Sequence, residues 1–316
     1  MSKIKVAVLG ITIISILVTG CGIKYSRQAS FAEPGLFKGK IVFVSDREAS
    51  DRKIYIVNAD GTNLRLISTK TNSNDTPAFS PDGEKIAFEG GLSKNDVSEI
   101  FITNGSSLTQ LTDYASVDTY KSPKWTADGK TIFFVKHEGA TKHFTIYRYD
   151  LTSKKEQKVL DNAGGSDISV SPDGRYLAYE YPDVNSDIYV KDLISGLTVN
   201  LTKGNGKEIN YHPSWSPDGK KIAFTNSSGR HIEVYVMEST GENIQRITDN
   251  SWSEESPAWS PDGTKLIYTS HRYGDPWGGG ELFVMDLNNM TEWQITRAVQ
   301  TKDGTLSSDI QASWTN

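Results

Sequence analysis

Residues 40–316 read as short runs in which apolar and polar positions alternate, each run closed by Gly, Pro, Asn or Asp. Ile86 and Phe88 share one face of such a run, as do Ile222 and Phe224. A period of two is the signature of a half-buried strand. The runs are grouped behind one recurring phrase. Its close copies are Pro77-Ala78-Phe79-Ser80-Pro81-Asp82-Gly83, Pro213-Ser214-Trp215-Ser216-Pro217-Asp218-Gly219 and Pro257-Ala258-Trp259-Ser260-Pro261-Asp262-Gly263. Looser copies are Pro123-Lys124-Trp125-Thr126-Ala127-Asp128-Gly129 and Ile168-Ser169-Val170-Ser171-Pro172-Asp173-Gly174. The turn Ser or Thr falls at 80, 126, 171, 216 and 260, a spacing of 44 to 46 residues. Self-similarity at that period marks a propeller or a solenoid.

The phrase is a strand running into a tight turn. Pro presets φ, Asp bonds its own local backbone, and Gly supplies the positive φ that reverses the chain. The repeated Asp residues are therefore read as turn residues and not as ligands. Three more strand-like runs follow each phrase, so each repeat is a four-stranded unit. Blades two to six begin at Pro77, Pro123, Ile168, Pro213 and Pro257. The first repeat lacks its phrase, because Lys40-Ile41-Val42-Phe43-Val44-Ser45 is already a second strand. Gln311-Ala312-Ser313-Trp314-Thr315, at the far end, aligns with the missing piece. The expected fold is all-β: a six-bladed β-propeller of four-stranded antiparallel blades over residues 39–316, closed by the C-terminal strand joining blade one. Closure protects the sheet edges that an open array exposes. Phe79, Trp125, Trp215, Trp259 and Trp314 share one repeat position and are assigned to blade-to-blade packing.

The first residues follow a different pattern. Lys3 and Lys5 precede an apolar run from Val6 to Val18, too short to span a bilayer comfortably and suited to a secretory signal peptide. It ends in Val18-Thr19-Gly20-Cys21, which resembles the lipobox of bacterial lipoproteins. That resemblance implies a signal peptide over residues 1–20 and acylation of Cys21, with residues 21–38 as a lipidated tether. The tether's Phe31 and Phe37 are candidates to pack on the propeller. Cys21 is the single cysteine, so no internal disulfide framework exists. The expected location is extracytoplasmic, on a cell membrane of the bacterial envelope.

The repeat itself, a Pro-Ala-Trp-Ser-Pro-Asp-Gly phrase followed by strands such as Val234-Tyr235-Val236-Met237, resembles the propeller repeat of TolB and its relatives over nearly all of residues 39–316. TolB carries an α/β domain before its propeller, and here only the tether stands there. A similar propeller precedes the hydrolase domain of prolyl-oligopeptidase-like enzymes, yet the chain contains no Gly-x-Ser-x-Gly elbow.

Formal charge is −5 over 316 residues, and no basic block is present. Nucleic acid is therefore not the expected partner. The phrase turns are tight and uniform, whereas the second-to-third-strand loops and the blade-to-blade connections vary. Function is carried on variable loops held by a rigid scaffold. Ahead of the inner strands on that variable face stand Asp75, Asp118, Asp167, Glu208, Glu254 (with Glu255) and Asp309. They are read as a candidate ring at the channel mouth, able to bind Ca²⁺ or a partner's basic group, or else as separate solvated carboxylates. Aromatic residues accompany them: Tyr114, Tyr120, Tyr211, Trp252, Tyr273 and Trp277. The longest loop, residues 270–280, adds His271 and Arg272, and His212 lies just before an inner strand. The candidate binding set is Tyr211, His212, Trp252, His271, Arg272, Tyr273 and Trp277. The five His show no metal-site spacing. The expected function is a monomeric, non-catalytic envelope lipoprotein that binds an envelope protein or glycan. The alternative is a carbohydrate-active enzyme, a lyase or hydrolase, with its site at the channel mouth.

Overall fold

The computed structural model of the chain describes residues 14–17, 24–27, 29–48, 51–67, 70–92, 97–112, 118–139, 143–182, 186–203, 208–227, 230–272, 279–302 and 304–316. Cys21, Tyr114, Tyr273 and Trp277 lie outside the described residues, as do most of residues 1–28. Near the N-terminus, Ile14–Leu17 pairs antiparallel with Lys24–Arg27.

Six antiparallel sheets form the propeller. Their inner strands are Asp309–Thr315, Asn72–Phe79, Thr119–Trp125, Ile168–Val170, Ile209–Trp215 and Glu254–Trp259, for blades one to six. Closure occurs as the repeat alignment requires. Trp314 pairs with Ile41 and Thr315 with Lys40, so the last strand of the chain becomes the innermost strand of blade one.

The recurring turn works through its Ser and Asp. Ser80 Oγ donates to Asp82 Oδ1 (2.5 Å) while accepting from the Lys85 N–H (2.9 Å), and Asp82 Oδ1 also accepts from the Glu84 N–H (3.0 Å). Asp128, Asp173, Asp218 and Asp262 repeat this pattern, which depresses all five carboxyls below the ordinary range. Turn residues they are. The core consists of apolar layers between successive blades. One layer packs Val42 and Ile54 of blade one against Phe79, Phe88 and Phe101 of blade two. The aromatic repeat position belongs to these layers: the Trp125 and Trp259 indoles donate back to the Ala78 and Ser214 carbonyls of the preceding blades (3.1 and 3.0 Å).

The segment expected as a tether over residues 21–38 is partly structural. Ser30–Phe31 adds a fifth, parallel strand to blade six, with Ser30 opposite Trp293 and Phe31 opposite Gln294. Phe37 is buried edge-on against Trp293 and Trp314, with ring centroids at 5.2 and 6.2 Å. The apolar residues in this stretch anchor it, because leaving Phe37 in water would forgo about 1.5–3 kcal/mol of burial.

Candidate functional site

The inner strands are not regular. Their registers slip between Asp75 and Ala78, Lys121 and Lys124, Tyr211 and Ser214, Glu255 and Ala258, and Ile310 and Ser313. At each slip one residue takes the left-handed conformation: Thr76 (φ 44°), Ser122 (51°), His212 (51°), Ser256 (55°) and Gln311 (54°). Such a conformation costs a non-glycine residue on the order of 1–2 kcal/mol. A bulge in a strand re-aims a side chain, and these re-aim five. Blade four contributes Asp167 at the equivalent place. Together with Lys124 and Ser169, five of the six line a central cavity of about 160 Å³: Thr76, Asp167, His212, Ser256 and Gln311.

Bonds run from blade to blade around this ring. The Thr76 N–H donates to Gln311 Oε1 (3.1 Å), and Thr76 Oγ1 donates to Glu89 Oε1 (3.0 Å). Ser122 Oγ donates to Asp167, whose carboxylate also faces Lys124 at 3.5 Å. Ser256 Oγ and His212 Nδ1 are 3.3 Å apart. Behind the ring, Glu180 Oε1 accepts the N–H groups of Ser166 (2.8 Å) and Asp167 (3.2 Å), and Glu255 Oε1 lies 3.0 Å from His271 Nε2.

The electrostatics separate these carboxyls. Burial, reinforced by the charge of Asp75, pushes Glu89 up to about 8. Burial and the neighbouring Asp167 raise Glu180. Asp167 is also buried, but Lys124, His212 and the Ser122 hydroxyl outweigh desolvation and hold it below the ordinary value. Glu255 is lowered in the same way: burial is outweighed by the His271 bond and by His212. The ring thus brings the Asp167 carboxylate, the Lys124 amine, the His212 imidazole and hydroxyl and amide groups together in a small polar well.

The expected acidic ring is dispersed. Only Asp167 faces the cavity. Asp75 pairs with Arg52 (2.6 Å) and Asp118 with Lys136 (3.0 Å), while Glu208 lies beside Asn226. Asp309 is buried against Arg47 (2.5 Å). Glu254 is buried among Asn250, Ser270 and Arg272. Desolvation raises it to about 7. Among the described residues no three His, Cys, Asp or Glu side chains converge as a metal ion requires.

The candidate binding set also divides. Trp252 is exposed on its connection, and Tyr211 is half-buried edge-on to His212 (4.7 Å). His271 is buried on Glu255. Arg272 is not an open anchor: Glu292 clasps it with two bonds (2.7 and 2.8 Å), and its guanidinium lies 3.9 Å from the Phe283 ring centroid. Tyr120 is core, packed on Phe134. Thr76, Ser122, Ser256, Gln311, Glu89, Glu180 and Lys124 were missed from sequence. For Thr76, Ser122 and Ser256 the signal is the place just before Pro77, Pro123 and Pro257, which His212 shares before Pro213.

Comparison with known proteins agrees with the propeller fold. Residues 40–179 and 167–313 match the family described as the TolB beta propeller domain. The Tol-Pal system protein TolB of Francisella tularensis subsp. mediasiatica is 27% identical over 216 residues, covering 65% of this chain and 48% of that protein. Dipeptidyl-peptidase 5 of Porphyromonas endodontalis is 26% identical over 232 residues, covering 57% of this chain and 33% of that enzyme. The chain therefore spans a third to about half the length of these curated relatives. Among solved structures, TolB from Acinetobacter baumannii superposes with a TM-score of 0.71 at 23% identity, over 89% of this chain and 67% of that one. An oligogalacturonate lyase in complex with manganese shares the fold with a TM-score of 0.52 at 19% identity, over 85% and 78% of the two chains. The chain belongs to the TolB β-propeller family.

Proposed function

We propose that this propeller is a non-catalytic, protein-binding scaffold on the extracytoplasmic side of a bacterial membrane, anchored by a lipid on Cys21. The observation that carries the reading is the central well: five blades each turn one polar side chain onto a cavity of about 160 Å³. That volume suits one side chain of a partner, with Asp167 and its neighbours as hydrogen-bonding contacts and Trp252 at the rim. A deep, pre-formed pocket entered by one residue is how interfaces concentrate affinity. Kinship with TolB, named for the Tol-Pal system, supports a protein partner in the envelope. The Val18-Thr19-Gly20-Cys21 sequence supports the anchor.

The test is capture from envelope extract on the immobilised protein, with Asp167→Asn and Trp252→Ala as companions. A partner retained by the wild type and lost by both variants supports the scaffold. Equal capture by all three removes the well from the interface. Labelling with a radioactive fatty acid that persists in Cys21→Ala refutes the anchor. The enzyme reading draws on the lyase likeness. Turnover of oligogalacturonides with Mn²⁺ that disappears in His212→Ala would replace the scaffold with a catalyst.

A further inference from the structure

The aromatic repeat position supplies an internal comparison among blade interfaces. Trp125 and Trp259 satisfy their indole N–H groups on the preceding blade. The other two interfaces with Trp at this position depart from this. Between blades six and one, the acceptor for Trp314 Nε1 is the Lys38 carbonyl (3.1 Å), and Phe37 fills the groove between Trp293 and Trp314. An extended strip of chain thus contributes one ring and one carbonyl. Between blades four and five the equivalent groove is open. Its cavity of about 580 Å³ is lined by Tyr176, Val190, Val199, Leu201 and Trp215. Trp215 is 9% exposed, and among the described residues its Nε1–H has no acceptor.

The two grooves correspond residue by residue. Val190 pairs with Val199 as Val284 pairs with Trp293, and Tyr176 opposes Asp192 as Lys265 opposes Asp286. At the position of Val199, blades one, three and five carry Arg65, Gln157 and Gln245. Blade four instead leaves Ile194, Leu197 and Val199 at 79, 70 and 56% exposure along its outer edge. A buried donor without an acceptor beside an exposed apolar strip is the arrangement expected where an outside segment supplies both missing parts. Asp173 and Asp218 stand on the rim.

We propose that the groove between blades four and five docks an extended peptide segment of a partner protein, one presenting an aromatic residue followed by a basic residue. The aromatic ring lies on Val199, Leu201 and Tyr176, the backbone carbonyl accepts the Trp215 N–H, and the basic side chain meets Asp173 and Asp218. Phe37-Lys38 is the template for this mode within the same molecule. The groove opens among the phrase turns, on the face opposite the variable loops, so the inference is independent of the central well.

Fluorescein-labelled Gly-Leu-Phe-Lys-Gly, the sequence of residues 35–39, is titrated against the full chain by anisotropy. Saturable binding is expected, with none for Gly-Leu-Ala-Lys-Gly. Trp215→Phe removes the donor together with part of the ring and weakens binding about threefold to tenfold. Val199→Lys weakens it by about tenfold or more. Both replacements resemble other blades, which carry Phe79 and the basic Arg65 at these positions. Asp167→Asn leaves the affinity unchanged. No saturable binding by ~1 mM peptide, or equal binding by Val199→Lys, overturns the proposal. So does a concentration-dependent dimer abolished by Val199→Lys, which makes a second copy the occupant.

Discussion

Deleting Gln311 to Asn316 tests the closure of the ring, and its cost follows from the contacts. The deletion removes the pairs of Ser313 with Val42, Trp314 with Ile41 and Thr315 with Lys40. Each ladder hydrogen bond contributes about 0.5–1.5 kcal/mol net. It also removes the Trp314 ring from Phe37. Loss of a core aromatic costs about 3–5 kcal/mol, with the lower end fitting a half-buried Trp. Ile41 and Phe43, fully buried in the intact ring, become part of an open inner edge. The sum is about 5 kcal/mol or more, against a total stability of about 5–15 kcal/mol for a typical domain. The truncated chain should therefore be unfolded, or lose most of its urea midpoint, when followed by tryptophan fluorescence and circular dichroism. The single variant Trp314→Ala should fall between the truncation and the full chain. A truncated protein with an unchanged midpoint refutes closure by this strand.

Phe37→Ala should lower stability by about 3 kcal/mol in the same urea assay; a change under about 1 kcal/mol would make residues 29–38 a free tether after all. Arg272→Ala leaves Glu254 and Glu292 without their cation and should cost about 3–5 kcal/mol, whereas Trp252→Ala, at an exposed position on the connection into blade six, should cost under about 0.5 kcal/mol. The reverse order would restore Arg272 as a surface anchor. Burial, with the charge of Asp75, pushes Glu89 from the ordinary 4.5 up to about 8 in the fold, so the folded state keeps a proton that the unfolded chain releases. Its contribution to stability is whole below the lower value and is lost as pH rises through the upper one, at up to ~1.4 kcal/mol per pH unit in between. Glu89→Gln should flatten that part of the pH profile of urea midpoints, and an identical slope in the variant would show that Glu89 ionises freely.

The fold was legible because its determinants are local and repeated. Five copies of a Ser-x-Asp-Gly turn, or its Thr variant, specify five hairpins through bonds spanning two to five residues, and the partial first repeat pointed to its complement at the C-terminus. The site was legible only to within one or two residues, which in a strand is enough to miss it. Side chains alternate between faces, so a slip of one position exchanges channel for blade interface. Asp75 was chosen where Thr76 faces the cavity, and Glu254 and Glu255 where Ser256 does. The bulges that set this phase rest on a positive φ at Thr, Ser, His and Gln, residue types that give little sequence warning of it. The Arg272 error has a different origin. Its loop position suggested exposure, but its partner Glu292 lies on the outer strand, twenty residues on, and only the blade's register brings them together.

A repeated scaffold makes departures from the repeat informative, because each blade serves as the control for the others. Uniform features such as the turn Asp residues, the aromatic position and the strand bulges answer to the architecture. Blade four breaks several at once: Val170 replaces the aromatic residue, Asp167 occupies the bulge position without a left-handed φ, and its outer strand is apolar where three others are polar. Blade six departs as well, but its outer-strand Trp293 is covered by the chain's own residues 30–37. The same molecule thus shows one apolar blade edge with its cover in place and one without. The central well and the open groove both draw on blade four, Asp167 for the first and Tyr176, Val190 and Val199 for the second. Substitutions confined to blade four are therefore the ones that should separate binding from folding, since the turns and core layers that build the ring remain intact.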